Sequence, residues 1–304
     1  MNAHSICNIC TNPAEIYLNL EDVPPIQNRF LSTVKEAQAF TSTEVQFIWC
    51  ENCQHISVNK NKKYDFDYNY DNQQAFSSYA QSQLEGIVKD IEKQIPSRNA
   101  FIVEIGCGRG ELLQMLRDSG YKKLKGFDPA APFSTDIISN KFWNGLEHEN
   151  IDLIICRHTM EEFPDPNKFI GLMSQSLSAS SCIYCEITNA PNLLNMASQG
   201  GVFVLYPEYI NLFSALSLSK LYAIHGLSID KVTSINSGEW LGVWGKKNTT
   251  TSISKIADYL KNIAMKVKSL PKPIVLWGAA GREYFVILKD GIIGYKLCSR
   301  SKPR

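Results

Sequence analysis

Two sets of residues in this chain have the types and spacing to do chemistry. The first is sulfur. Cys7-Asn8-Ile9-Cys10 and Cys50-Glu51-Asn52-Cys53 form two C-x2-C pairs. Four thiolates paired in this way can close a tetrahedral site on Zn2+. A site filled by four cysteines leaves no open position, so the metal expected on Cys7, Cys10, Cys50 and Cys53 is structural. The 39 residues between the pairs (11–49) exceed a compact zinc ribbon, so an insertion must loop out between them. The second set is the run Glu104-Ile105-Gly106-Cys107-Gly108-Arg109-Gly110, with Asp128 eighteen positions beyond its last glycine. Three glycines at alternate positions let the backbone turn sharply and approach a ligand closely. A helix that starts there presents free N–H groups and the positive end of its dipole. Two acceptor oxygens on Asp128 suit a vicinal diol.

The flanking elements place these groups. Phe101-Ile102-Val103 reads as a short buried strand, and Glu111–Leu116 as a helix with apolar residues at helical spacing, so the glycine run joins a strand to a helix. Leu124–Asp128 reads as the next strand and ends on its carboxylate. Residues Gln73–Gln94 read as one helix, with Leu84, Ile87, Val88, Ile91 and Ile95 on a buried face, stopped at Pro96-Ser97. Downstream come strands at Ile151–Cys156, Ser181–Ile187, Leu227–Ile235 and Trp240–Lys246, and a helix at Leu212–His225 with Gly226 as its cap. That inventory predicts an α/β fold with a seven-stranded, mostly parallel, Rossmann-like sheet and ligands at the carboxyl ends of its strands. Cys182 and Cys185 would fall on opposite faces of their strand, which argues against a shared metal.

The segment Ser252–Leu270 reads as an amphipathic helix and Pro273–Trp277 as a strand. A glycine turn, Gly278–Gly281, and a helix, Arg282–Leu288, are expected to follow. This resembles the opening of another α/β unit, yet about fifty residues are few for a separate lobe. Either it packs on the main domain or the sequence is a truncated form. The expected division is a zinc-binding module at 1–60, the main domain at 61–250 and a partial C-terminal α/β segment at 251–304. The stretch Lys60–Asp71, with Tyr64, Phe66, Tyr68 and Tyr70, reads either as a linker or as a lid.

The bulk numbers exclude some classes. A net charge of +1 over 304 residues leaves no electrostatic footprint for nucleic acid or an anionic membrane. No apolar run reaches membrane-spanning length, and the polar start Met1–Ser5 lacks a signal-peptide pattern, so the expected compartment is the cytoplasm. Nine cysteines there argue for thiols and metal, not disulfides. Nothing in the sequence sets the oligomeric state.

The acidic-x-G-x-G-x-G spacing from Glu104 to Gly110 resembles motif I of the class I S-adenosylmethionine (SAM) methyltransferases; a dinucleotide site expects G-x-G-x-x-G instead. The resemblance implies a SAM pocket built from Glu104, Gly106, Gly108, Gly110 and Asp128, with Asp128 on the ribose. The whole order, from Cys7 to about Leu288, resembles the NDP-deoxysugar C-methyltransferases of the tetronitrose type. Supporting pieces are Pro25–Leu31 (similar to P-x-x-N-x-F-L), Asp67–Tyr70 (D-Y-x-Y), Gly126–Pro129 (G-x-D-P) and Trp277–Arg282. In that family the zinc is structural. A base takes the proton beside a sugar ketone, and the carbon then accepts the methyl group. Stabilising the enolate oxygen and holding the two reactants close are the protein's tasks.

The family signature, close to Y-H-E-H-x-S-Y-F-S, reads here Tyr206-Pro207-Glu208-Tyr209-Ile210-Asn211-Leu212-Phe213-Ser214. Tyr209 stands where the family has its proposed catalytic histidine. A second E-H pair, in the loop after the Ile151 strand, reads Glu161-Glu162. A phenol near pKa ~10 is a poor base at neutral pH beside an imidazole near ~6.5. By the resemblance, Tyr70, Tyr206, Glu208 and Tyr209 face the acceptor, and His158 is a further candidate base. His225, just before Gly226, reads as structural. The expected function is a SAM-dependent methyltransferase acting on a small molecule, most plausibly the carbon of a nucleotide-linked ketosugar. Three alternatives stay open: O- or N-methylation of another small acceptor, a non-catalytic zinc and SAM-fold module, and a nucleic-acid methyltransferase, which the neutral charge disfavours.

Overall fold

The computed structural model of the chain describes residues 5–23, 31–59, 77–145, 150–198 and 208–248, and beyond these 275–276, 283–287 and 293–297. The chain divides into two compact units, Met1–Asn248 and Thr249–Arg304.

The first unit opens with β1 (Ser5–Ile6), β2 (Pro13–Val23), the short helix α1 (Val34–Gln38), β3 (Thr43–Cys50) and β4 (His55–Val58). All pairings among these strands are antiparallel. β3 and β4 form a hairpin around Cys50 and Cys53, with Trp49 opposite Ile56 and Phe47 opposite Val58. The insertion between the cysteine pairs supplies the long strand β2, and α1 is fixed at its start by a capping box between Thr33 and Glu36. Val45, Phe47, Ile56 and Val58 form a small core that also takes in Ala190, Leu193 and Leu212 from farther along the chain.

The main body begins with α2 (Ser78–Gln94). It starts later than the Gln73 read from sequence, because the Ser77 side chain accepts from the Ala80 N–H and caps the helix there. Leu84, Ile87, Val88 and Ile91 are buried on one face. There follow β5 (Phe101–Ile105), α3 (Glu111–Asp118), β6 (Lys123–Phe127), β7 (Ile138–Ser139), β8 (Ile151–Arg157), α4 (Pro166–Ser176), β9 (Leu177–Thr188), α5 (Ala190–Ser198), β10 (Asn211–Leu212), α6 (Ala215–Ile224), β11 (Leu227–Ile235) and β12 (Trp240–Lys247). Seven of these strands form one sheet in the order β11-β12-β9-β8-β5-β6-β7. The β5–β6, β5–β8, β6–β7 and β8–β9 pairs are parallel, and β12 runs antiparallel to both of its neighbours. The expected α/β, Rossmann-like, seven-stranded sheet is the observed one.

The sheet is covered on both sides, so its central strands are apolar at nearly every position. Ile154 and Cys156 of β8 join the core cluster on one face, and Leu153 and Ile155 the cluster on the other. Cys182 and Cys185 likewise divide between the two clusters, as a period of two dictates. The helix read over Leu212–His225 is shorter at its start. Asn211 and Leu212 pair as β10 with β4, and the Ser214 hydroxyl accepts from the Ser217 N–H, so α6 begins at Ala215. Gly226 takes a left-handed φ of +69° just past the helix, the conformation its Cβ-free backbone allows at no steric cost.

In the second unit, β13 (Val275–Leu276), β14 (Glu283–Ile287) and β15 (Ile293–Leu297) pair antiparallel in that order. The helix expected over Arg282–Leu288 is therefore a strand. Its Tyr284-Phe285-Val286-Ile287 run is aromatic and β-branched, which favours an extended pairing over a helix. The helix read over Ser252–Leu270 and the glycine turn Gly278–Gly281 lie outside the described residues, as do the connector Lys60–Asp71 and the Pro25–Leu31 piece up to residue 30. Among the described residues no helix is long and apolar enough to cross a membrane.

Candidate active site and cysteine centre

The glycine run is a turn whose shape its residue types impose. Gly106, Gly108 and Gly110 all have positive φ, +73°, +54° and +83°. A side chain on Gly106 would meet the Thr159 side chain, because the loop after β8 lies directly against the turn. A Cβ on Gly108 would meet nothing within 4 Å. Gly108 is thus the open floor of the turn, where a ligand can touch backbone. These two glycines should respond differently to alanine. Gly106→Ala combines left-handed strain of about 1–3 kcal/mol with a steric clash, and is expected to lower stability more than Gly108→Ala. Gly108→Ala is expected to lose S-adenosylhomocysteine affinity out of proportion to its stability loss. Chemical denaturation and calorimetric titration of both variants check this.

Asp128, just past β6, is held to the same turn. Its Oδ2 accepts from the Gly108 N–H and its Oδ1 from the Ala130 N–H, both at 2.8 Å. Each oxygen keeps a lone pair for a ligand hydroxyl. The turn, Asp128 and the start of the loop after β8 line one cavity of about 530 Å³ at the carboxyl ends of β5, β6 and β8. It is lined as well by Phe142, Trp143, His158, Glu162, Phe163 and Pro164.

Buried charge lies beneath the cavity. Glu104, at the penultimate position of β5, is almost fully buried, and burial pushes its carboxyl up to about 8 against the pull of Arg157. Its Oε1 lies 3.9 Å from the Arg157 guanidinium. Among the described residues its Oε2 has no hydrogen-bond partner, although it belongs to a cavity-lining residue. Arg157 instead donates to Glu186 Oε2 at 2.6 Å, and the Tyr184 hydroxyl donates to Oε1 of the same carboxylate at 2.8 Å. Burial opposes the charge on Glu186, but Arg157 and then His158 hold its pKa down to about 2. His158 has a left-handed φ of +49°. Its ring sits 3.4 Å from Glu186 and edge-on to Trp240, at 4.8 Å between centroids.

Glu161 and Glu162 diverge. Glu161 points inward and is fully buried, with Oε1 accepting from the Thr188 N–H at 2.6 Å and from the Thr188 hydroxyl at 3.0 Å. Glu162 lines the cavity instead. Burial pushes its carboxyl up to about 8, and the neighbouring carboxylates of Glu161, Glu208 and Asp128 add to the shift. Asn211 holds this turn in place. Its amide is buried with every hydrogen-bonding site in use. Oδ1 accepts from Asn8 Nδ2 at 2.7 Å and faces His55 Nε2 at 3.2 Å, while Nδ2 donates to the carbonyls of Phe163, at 2.7 Å, and Glu161, at 3.4 Å.

The four cysteines meet although the chain brings them from two pairs. Their Sγ atoms all lie within 4.8 Å of one another, with Cys7–Cys53 and Cys10–Cys50 at 3.5 Å. A tetrahedral zinc with Zn–S bonds of about 2.3 Å needs sulfurs roughly 3.8 Å apart, so the donor set fits a metal ion. The Ile9 N–H points at Cys7 Sγ, and the side-chain amides of Asn12 and Asn52 point at Cys10 Sγ. Such donors suit thiolates.

The residues picked out in the sequence are therefore distributed as follows. Glu104, Gly106, Gly108, Asp128 and His158 share the cavity, and Gly110 lies just behind it, as the left-handed residue that starts α3. Glu208 is buried and electrostatically adjacent to Glu162. Tyr209 packs against the small core of the cysteine module and is not on the cavity wall. Tyr70 and Tyr206 lie outside the described residues. His225 is structural: it ends α6 and its ring bonds to the Asn167 side chain at 3.0 Å. Sequence reasoning passed over Arg157, Glu162, Trp143 and Asn211 as site residues. The Glu161-Glu162 pair at the end of a buried strand was the one signal that could have pointed to Glu162.

A family model described as a methyltransferase domain matches residues 76–232, which is 157 of the 304 residues. A search among curated proteins finds no match. Among solved structures, the chain is similar to magnesium protoporphyrin IX methyltransferase from Synechocystis PCC 6803, with bound SAH, at 14% identity. That match covers 60% of this chain and 91% of that one, with a TM-score of 0.44. It is also similar to an O-methyltransferase family protein from Burkholderia thailandensis, at 13% identity over 57% of each chain, TM-score 0.43. A third similar structure is the plantazolicin methyltransferase BpumL, at 16% identity over 57% of this chain and 87% of that one, TM-score 0.42.

Proposed function

Since the chain belongs to the methyltransferase-domain family and is a SAM-dependent enzyme, we propose that it methylates a small molecule, in first place the carbon beside the ketone of a nucleotide-linked sugar. The observation that supports this reading is the cavity in which a ligand-accessible glycine turn and Asp128 face Glu162, His158 and Trp143. S-adenosylmethionine supplies a methyl group on a positively charged sulfur. Asp128 takes the ribose hydroxyls, Gly108 lets the ligand reach the backbone, and the unpartnered buried Oε2 of Glu104 is an acceptor for the ammonium group of the methionine part. Trp143, which also lines the cavity, adds an indole N–H that has no partner among the described residues. Tyr70, Tyr206 and Glu208 serve the acceptor end, with His158 as a second candidate there. Cys7, Cys10, Cys50 and Cys53 hold one structural Zn2+.

O- or N-methylation of another small acceptor is the second reading. The replacement of the family's histidine by Tyr209, which packs away from the cavity, favours it. The test is calorimetric titration with S-adenosylhomocysteine, followed by transfer of labelled methyl from SAM to nucleotide-linked ketosugars. Micromolar binding and a methylated sugar are expected. Glu208→Gln should keep the binding and lose turnover; unchanged turnover would remove Glu208 from the acceptor site, and binding without any methylated ketosugar would shift the reading to another acceptor atom.

A further inference from the structure

The ketosugar reading needs a base, and both expected histidine positions are filled by other residues. Tyr209 packs against the core of the cysteine module, and His158 is engaged by Glu186 and Trp240. Among the described residues the cavity wall offers four carboxylates. Glu104 lies below it beside Arg157, Asp128 is bound to the glycine turn, and Glu111 opens α3. The fourth, Glu162, stands in the loop beyond β8 and lines the cavity. Among the described residues it has neither a hydrogen-bond donor nor a cation. The charged groups that face it are Glu161 on its own turn, Glu208 ahead of β10 and Asp128 beyond β6. Its position is fixed from outside, because Asn211 holds the Glu161 and Phe163 carbonyls on either side and Glu161 is anchored on Thr188. A carboxylate held in place, turned into a ligand cavity and left without an internal partner is arranged to exchange a proton with what binds there.

We propose that Glu162 is the general base that takes the acceptor's proton. This rests on the methyl-transfer reading of the cavity. In the ketosugar case the α C–H bond breaks, the proton goes to a carboxylate oxygen of Glu162, and the electron pair forms the enolate. The carbon then bonds to the methyl carbon, the C–S bond breaks with its pair passing to sulfur, and S-adenosylhomocysteine leaves as a neutral thioether. The proton on Glu162 returns to water. Carboxylates serve as carbon-acid bases when their basicity is raised; burial raises that of Glu162, and the neighbouring carboxylates add to it. Since the ionised form is the active one, activity should climb with pH and level off above about 8.

The test uses the full zinc-loaded chain, with Glu162→Gln and Glu162→Asp beside wild type. First, calorimetry with S-adenosylhomocysteine should give equal affinities for all three; a marked loss in Glu162→Gln would place Glu162 on the methyl donor and overturn the proposal. Second, with S-adenosylhomocysteine bound, no methyl transfer is available, so proton NMR in D2O reads only exchange of the α-hydrogen of a nucleotide-linked 4-ketosugar. Glu162→Gln should slow this exchange by roughly 10²–10⁴-fold, with Glu162→Asp in between. Exchange that survives in Glu162→Gln overturns the proposal. Third, isotope-edited infrared titration needs no acceptor. A glutamate carboxyl titrating near pH 8 in wild type and missing from Glu162→Gln supports the proposal, and a Glu162 that titrates in the ordinary carboxylate range overturns it. If wild type shows the infrared signature but neither exchanges nor methylates the ketosugar, the acceptor reading fails while the base assignment stands.

Discussion

Arg157→Leu is expected to destabilise the folded protein by about 3–5 kcal/mol, the usual cost of stripping one partner from a buried ion pair. Among the described residues the guanidinium is the only permanent cation beside two carboxylates that are each more than nine-tenths buried, Glu186 at 2.6 Å and Glu104 at 3.9 Å. Without it, Glu186 keeps only His158 and the Tyr184 hydroxyl among the described residues. Lysine at this position would restore a point charge but not the planar fork, and is expected to recover part of the loss. The pH dependence gives a second readout. Glu186 is held at about 2, below its ordinary 4.5, so its contribution is present above pH 4.5 and disappears as pH falls toward 2. Glu104 and Glu162 are raised to about 8, so the folded state binds their protons more tightly. Their effect has the opposite sign: full stabilisation lies below the unfolded pKa and fades as pH rises through 8. Denaturation of wild type and Arg157→Leu at acid and neutral pH should show the gap between them narrowing on acidification, as Glu186 is neutralised. A gap that stays constant with pH would contradict the ion-pair assignment.

With zinc on the four cysteines as proposed, its removal is expected to have an effect at least as large. Structural zinc sites bind with apparent free energies of roughly 10–16 kcal/mol at neutral pH, and that binding is folding free energy when the site does not survive without metal. The module's small core of β3 and β4 residues is shared with Ala190, Leu193 and Leu212, and Cys7, Ile9, Ala14, Ile48, Cys50 and Cys53 themselves join the main core. A strong chelator, or Cys50→Ser, should abolish hydrogen-exchange protection in β1 to β4. The loss should also reach β10, whose Asn211 and Leu212 pair with Ser57 and Ile56. It should loosen the Glu161–Phe163 turn through the Asn8–Asn211 bond. Metal analysis on the same sample decides the matter. A metal-free protein with unchanged protection in β4 and β10 would show that the four cysteines are only a reduced cluster. The cysteine module thus braces the turn that carries Glu162 without itself lining the cavity, and chelation should weaken acceptor binding as well as stability.

The sheet and the glycine turn were legible from the residues alone. Both rest on local rules: glycines where φ must be positive, a carboxylate at a strand end, and apolar runs where a strand is covered on both faces. The two C-x2-C pairs were legible for the same reason, since ligand spacing within a pair is local. Element boundaries went wrong where a side chain outside the periodic pattern decided them, as Ser77 does at α2 and Ser214 at α6. The strand at Glu283–Ile287 went wrong because so short an apolar run has no period long enough to separate helix from strand. The tertiary structure alone decided which polar groups meet. Arg157 and Glu186 lie 29 positions apart, and Asn8 and Asn211 lie 203 apart. Glu161 and Glu162 are neighbours in sequence, yet one is buried on Thr188 and the other lines the cavity. Such placement depends on how β8, β9 and β10 converge, and that depends on burial summed over the whole core. No spacing within one segment encodes it.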